Sequence, residues 1–275
     1  MHFPAPVSPR HADNLRTMFP LSWAAAFVLG TLVGSFLNVC IYRLPREESV
    51  VDPPSHCPAC DTRIRWYDNL PVLAWILLRG RCRDCHTPFS IRYPLIELVA
   101  GALAVLATWR FGVSPEAVLA FGFCCCMLVV VFTDYDAKII PDQIVIAGVI
   151  LGLLATQVHV SSWTRMLTGA AVGFGVLWAI REIYYRLTGR DGMGFGDCTL
   201  ALAMGSVLGA TGVMITFFLA SLAGTLIGLA ILSANKQSLR TELPFGVFLA
   251  PAATVVLFVG PHVLLQPLQL LRIGG

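Results

Sequence analysis

The chain has 275 residues, of which 56% are hydrophobic and only 13% charged, with nine cysteines and a formal net charge of +3. So few ionisable groups cannot cover that much apolar side chain in water, which excludes an ordinary soluble domain and places the sequence among membrane proteins. The small positive balance says little about nucleic acid, and no nucleic-acid partner is expected.

After an extension over 1–20, the first apolar run covers 21–42 and ends in SFLNVCIYRLP. This is not a small-residue cleavage site, so the run reads as an anchoring transmembrane helix and not as a removed signal peptide. A polar stretch over 43–93 follows. Charge-sparse runs then recur at 94–109, 117–133, 143–164 and 166–180, before a continuous apolar region over 198–234 and another over 243–265. Crossing hydrocarbon takes roughly 20 helical residues. The 198–234 region is therefore split at Gly209-Ala210-Thr211-Gly212 into two helices. The expectation is an all-α polytopic membrane protein of about eight transmembrane helices. A small cytoplasmic zinc-binding domain at 43–93 separates the first helix from a seven-helix membrane domain at 94–265, and 266–275 form a tail.

Orientation follows from lysine and arginine. The loops 43–93, 134–141, 181–196 and 233–243 carry 14 of them, against 5 on the opposite side. Positive loops stay in the cytoplasm, which puts the first set inside and both termini, the 1–20 extension and the 266–275 tail, in the periplasm.

Within the 43–93 loop, Cys57 and Cys60 form one CxxC pair, and Cys82 and Cys85 form a second after 21 intervening residues. Two such pairs brought together complete a tetrahedral four-thiolate shell for structural zinc, with no open position for a catalytic water. The alternatives are a pair of disulfides, which a reducing compartment disfavours, or unliganded thiols. His56 and His86 flank the ligands but, as chain neighbours, are poorly placed to replace them. Cys40, Cys124, Cys125, Cys126 and Cys198 fall in or beside apolar runs and read as small buried hydrophobes.

The acids that carry chemistry lie at helix ends. FTDYDAKIIPD brings Asp134 directly after an apolar run; Asp136 cannot share its helical face and is expected toward solvent or Lys138. Pro141 suits a helix's first turn, and Asp142 is explained by that helix start. Asp197 closes GMGFGD at the same cytoplasmic level. It reads either as an N-cap or as a working carboxylate. Gly192, Gly194 and Gly196 favour the second reading, because they clear side chains from alternate positions and leave a backbone that a second chain can approach or pair with. An acid at membrane depth is a functional hypothesis by default. Two carboxylates at one site share a proton, and such a pair can activate water against a peptide carbonyl without metal or covalent intermediate.

Taken together, GTLVGSFLNVCIYRLP, the paired CxxC motifs, WYDNLPVLAWILLRGRC, SIRYPLIELVAG, TDYDAKIIPD, GMGFGDCTLALAMG and LPFGVFLAP resemble the type 4 prepilin peptidases, a family of GxGD aspartyl proteases, over about residues 29 to 251. The resemblance implies catalysis by Asp134 and Asp197, and cleavage of prepilins and type II secretion pseudopilins after a leader glycine at the cytoplasmic face of the bacterial inner membrane. It also implies N-methylation of the new terminus with S-adenosylmethionine, in the 43–93 region. Membrane lipid and a transient association with pilus or type II secretion machinery follow as partners. Glu47, Glu48 and Asp52 are acids suited to a basic leader or a sulfonium group, or simply to solvation. Thr199 departs from the family's usual lysine, a tuning role that Lys138 or a nearby arginine would then take.

Two rivals remain at this point. A transporter would use intramembrane acids as a relay. A secretion-machine scaffold would use the zinc domain for partners and the aspartates only as caps. Gly101, Gly148, Gly152, Gly169, Gly173 and Gly205 are read as sites of close helix approach, and the six tryptophans as interface anchors or packing residues.

Overall fold

The computed structural model describes residues 9–235, 244–260 and 264. The expected 266–275 tail and residues 1–8 of the N-terminal extension lie outside them. The described residues are helical with no named strand; two isolated bridges, His56 to Arg63 and Arg81 to Pro88, are their β-type pairing. The helices are α1 (Pro9–Arg43), α2 (Leu73–Leu77), α3 (Arg92–Phe111), α4 (Pro115–Ala137), α5 (Asp142–Gln157), α6 (Trp163–Thr188), α7 (Phe195–Asn235) and α8 (Gly246–Val259).

Five of these, α1, α3, α4, α6 and α7, are long and apolar enough to cross a membrane; α5 and α8 are apolar but shorter. In α7 the backbone leaves helical geometry at Gly209 (φ 76°), so it is two helical segments joined at the small-residue stretch expected to divide them. Counting both, the described residues carry eight apolar helical segments apart from the five-residue α2. The expected run 143–164 is shorter as a helix, because α5 stops at Gln157 and Ser162 caps a new one, its hydroxyl accepting from the Arg165 N–H at 3.2 Å. Conversely α6 runs past Arg181 to Thr188, where Gly189 ends it in the left-handed region.

The chain divides into two compact units, residues 1–38 with 54–117, and residues 39–53 with 118–275. In the first, α1 and α3 touch through small residues. A Cβ built on Gly30 would stand 2.7 Å from that of Ala104, and one on Gly34 would stand 2.7 Å from the Glu97 Cα. Such a seam, with backbones in contact, is how apolar helices gain packing energy where water offers no hydrophobic drive. Asn38 adds a side-chain bond to the Tyr93 carbonyl at 3.2 Å.

The second unit is built on α7. Gly169 and Gly205 face each other across α6 and α7 so closely that a Cβ on either would stand 2.1 Å from the other's carbonyl oxygen; Gly173 meets the Ala201 carbonyl in the same way. Gly148 and Gly152 of α5 rest on Ala203 and Ser206. Phe123, Met127 and Val130 of α4, Leu200 and Met204 of α7, and Leu249 and Val256 of α8 close the core. At the α7 break, Arg165 fills the space beside Gly209 and donates to the orphaned Leu208 carbonyl at 3.1 Å. Arg43 is buried and donates to the carbonyls of Ser49 (2.8 Å) and Pro53 (2.6 Å), curling 44–53 around its guanidinium.

Candidate active site and metal centre

The metal centre is built from a short turn used twice. In CPACDT the Cys57 N–H donates to the Thr62 carbonyl and the Asp61 N–H to the Cys57 carbonyl; in CRDCHT the Cys82 N–H donates to Thr87 and the His86 N–H to Cys82. Asp61 (φ 56°) and His86 (φ 60°) take the same left-handed conformation, which turns the chain after each second cysteine. The four Sγ atoms of Cys57, Cys60, Cys82 and Cys85 lie within 4.8 Å of one another. Cys57 stands 3.7 Å from Cys85, and Cys60 stands 4.0 Å from Cys82. A tetrahedron with zinc–sulfur bonds of about 2.3 Å has edges of about 3.8 Å, so these separations fit one zinc and are far beyond a disulfide. Thr87, through its hydroxyl and its backbone, draws the Cys85 thiol down to about 6. His56 and His86 are exposed and outside the four-sulfur group.

Beside this centre Arg83 grips Asp68 with its Nε (2.9 Å to Oδ2) and an Nη2 (2.5 Å to Oδ1). That hydrogen bonding holds the Asp68 carboxyl below the usual carboxylate range. Arg83 and Arg65 also lie over the Tyr67 ring, 5.6 and 5.9 Å from its centroid.

The two candidate carboxylates are held by backbone. Asp134 lies in the last turn of α4, 6% exposed, and its Oδ2 accepts from the Val247 N–H at 3.2 Å, with the Gly246 N–H beside it. These amides belong to the first turn of α8, where N–H groups have no partner inside the helix and favour an anion. Gly246 has no room for a side chain, since a Cβ there would stand 2.7 Å from Asp134 Oδ2. Asp197, 8% exposed, is the third residue of α7 and not its cap, so the N-cap reading is corrected; its N–H donates to the Gly194 carbonyl at 3.2 Å and its carboxylate turns back to the Gly194 N–H. The charge of Asp134 is felt at Asp197, 63 positions later in the sequence, so the second unit sets both acids in one electrostatic neighbourhood. Lys138 adds a positive charge toward Asp134, whereas the Thr199 hydroxyl bonds back to the Gly196 carbonyl at 2.9 Å.

The three glycines have different surroundings. Gly192 lies under the Tyr184 ring, at 2.5 Å for a built Cβ; Gly196 rests on Ile140, in the loop between α4 and α5, at 3.3 Å. Among the described residues, Gly194 has only Asp197 and its own turn within 4 Å. Arg181 fixes the approach to this turn by donating to the Met193 carbonyl at 3.2 Å and to Asp191 at 2.8 Å. Asp136 is exposed as expected. Pro141 is the N-cap of α5 and Asp142 its first residue, one position later than the sequence suggested. Gly246 and the Val247 N–H carry no acid–base signature, and their only sequence trace is the glycine after Pro244-Phe245.

Residues 28–111 match the bacterial peptidase A24 N-terminal domain and residues 121–229 match the type IV leader peptidase family. Similar proteins include one named prepilin leader peptidase/N-methyltransferase from Pseudomonas putida, 36% identical over 271 residues that cover 90% of this chain and 93% of that protein. Others of the same name come from Xanthomonas campestris (34% identical, covering 87% and 92%) and Myxococcus xanthus (37% identical, covering 81% and 67%). No solved structure matches the chain.

Proposed function

The chain belongs to the type IV leader peptidase family, and from that premise we propose that it cleaves the leader peptides of prepilins and N-methylates the terminus so exposed. Asp134 and Asp197 are the catalytic pair. The observation that carries this reading is a pair of buried carboxylates from separate helices, Asp134 held by the Val247 N–H and its charge felt at Asp197.

A single proton is shared between them. The ionised carboxylate removes a proton from water as the oxygen attacks the scissile carbonyl. The protonated partner hydrogen-bonds to the carbonyl oxygen, where negative charge develops. Collapse of the tetrahedral intermediate breaks the C–N bond, and the proton taken from water passes to the leaving amine. The Val247 N–H holds one Asp134 oxygen in place, leaving the other for water or its partner acid. A glycine on the substrate's leader side leaves the carbonyl unobstructed. Open backbone at Gly194 beside Asp197 suits an extended substrate strand, while Gly192 and Gly196 shape that turn by accepting Tyr184 and Ile140.

The cleavage sites of prepilins and type II secretion pseudopilins lie at the cytoplasmic face of a bacterial inner membrane in this reading, supported by the excess of lysine and arginine in one set of loops. Transient contact with pilus or type II secretion machinery follows from where those substrates go. Zinc held by Cys57, Cys60, Cys82 and Cys85 is structural, since four thiolates leave no open coordination position. S-adenosylmethionine, when bound, supplies an electrophilic methyl group to the amine freed by cleavage. Glu47, Glu48 and Asp52 are all exposed, so methyl transfer rests on family membership.

The paired acids and the four-cysteine centre favour an enzyme over a transporter or scaffold. Asp134→Asn and Asp197→Asn are each expected to abolish removal of the leader, read by mass spectrometry of a co-reconstituted prepilin, while the circular dichroism spectrum stays native. Full cleavage by either variant would defeat the catalytic assignment.

A further inference from the structure

Between the two cysteine turns the first unit exposes an apolar surface it does not need for its own core. Trp66, Leu70, Leu73 and Ile76 are exposed, and Leu77 is 79% exposed. In α2 the usual arrangement is inverted: Ala74 is buried, while Leu73, Ile76 and Leu77, at spacings of three and four, share the outward face.

This surface is held firmly. Val72, a β-branched residue, sits at φ 61° in a three-residue turn closed by the Leu73 N–H and the Pro71 carbonyl at 2.6 Å, a conformation tolerated only where the surroundings enforce it. Its N–H donates to the buried Glu97 Oε2 at 2.7 Å. Trp75 donates to the Phe89 carbonyl at 3.4 Å and lies against Gly80, whose φ of 66° keeps a side chain off the indole.

Glu97 fixes the depth. It is five residues beyond the start of α3, so the hydrogen bond pins Val72 about 7.5 Å along that membrane-spanning helix. The exposed side chains are therefore level with the entry of α3 into apolar surroundings and not out in bulk water. Arg79 and Arg81, both exposed, follow α2 directly. Apolar side chains bordered by arginines are the composition of a segment lying in a lipid interface.

We infer that residues 66–78 form an interfacial wedge that seats Leu73, Ile76 and Leu77 at the boundary between headgroups and acyl chains, with the Arg79 and Arg81 guanidiniums at lipid phosphates. The occupant is lipid rather than the hydrophobic segment of a substrate, because the turn is held at the level of α3 whether or not substrate is bound. The inference depends on α3 crossing the membrane and is independent of the catalytic assignment.

The test uses the full-length enzyme in vesicles of phosphatidylethanolamine and phosphatidylglycerol with prepilin present. A benzoylphenylalanine photocrosslinker replaces Leu77 in one variant and Val51, which is 85% exposed, in another. Both positions are open, so neither replacement disturbs the core, and zinc content reports that the loop remains folded. Irradiation is expected to give a lipid adduct at position 77 and none at 51, read by mass spectrometry. Equal lipid adducts at both positions, capture of prepilin instead of lipid at 77, or no adduct at 77 in zinc-loaded protein would each overturn the inference.

Discussion

In the proposed mechanism Asp134 needs one of its oxygens kept still, and the group placed to do so is a main-chain N–H 113 residues later in the sequence. Gly246 is shaped to let that happen, because any Cβ would push into the carboxylate. Gly246→Ala is expected to lower kcat by about 10²-fold with little change in KM, the cost of moving a reacting group by a fraction of its own size. Leader cleavage kinetics with unchanged circular dichroism would check this. Asp68 offers a different reading at the same scale. Its folded carboxyl is depressed by Arg83, so the pair stabilises the protein above the unfolded carboxylate value of about 3.9 and loses that contribution as pH falls through the folded value. Asp68→Asn should therefore destabilise at neutral pH, by at most about 1 kcal/mol because Arg83 is half exposed, and the gap to wild type should narrow below pH of about 4. Denaturation at several pH values would show it. Asp134, Asp197 and the cysteines were legible in the sequence because their side chains announce their chemistry. Gly246 and Val247 were not, because what they contribute is a backbone N–H and an empty space, which any residue order can conceal.

Among the helices, the α6 and α7 contact has the least tolerance. The Gly169 and Gly205 backbones approach so nearly that a side chain on either must part the helices. Gly169→Leu is expected to lower the melting temperature of the detergent-solubilised protein sharply or to prevent its accumulation, whereas the same change at Gly175, with nothing within 4 Å, should be mild. Hydropathy located these helices but measured the wrong length for some of them. It reports where lipid begins, whereas a helix continues for as long as its backbone bonds are met. Thus α6 outlasts its apolar run through Arg181, Glu182 and Arg186, the last two paired at i and i+4 with 2.8 Å between them. The division of α7 was readable, since Gly209 is the residue able to take the left-handed geometry there, but the guanidinium that satisfies the broken end comes from Arg165, which composition placed only in a connecting loop.

For the whole chain, polarity suggested a division at residues 93 and 94, where the loop gives way to an apolar run, whereas the compact units part between 117 and 118. The difference is physical: α3 is apolar enough to belong with the other spans, but its first turns are tied to the loop through Glu97 and to α1 through the Tyr93 carbonyl. Metal analysis of the purified protein should return one zinc per chain, and Cys57→Ser with Cys85→Ser should return none, with loss of the folded loop. The geometry of that centre reaches further than its four sulfurs. Each cysteine pair sits in its own closed turn, and residues 65–79 connect one turn to the other. With zinc in place, a protease nick in that connection would leave the two cysteine turns clasped by the ion, and a chelator would let the turns part while the glycine seam still holds α1 against α3.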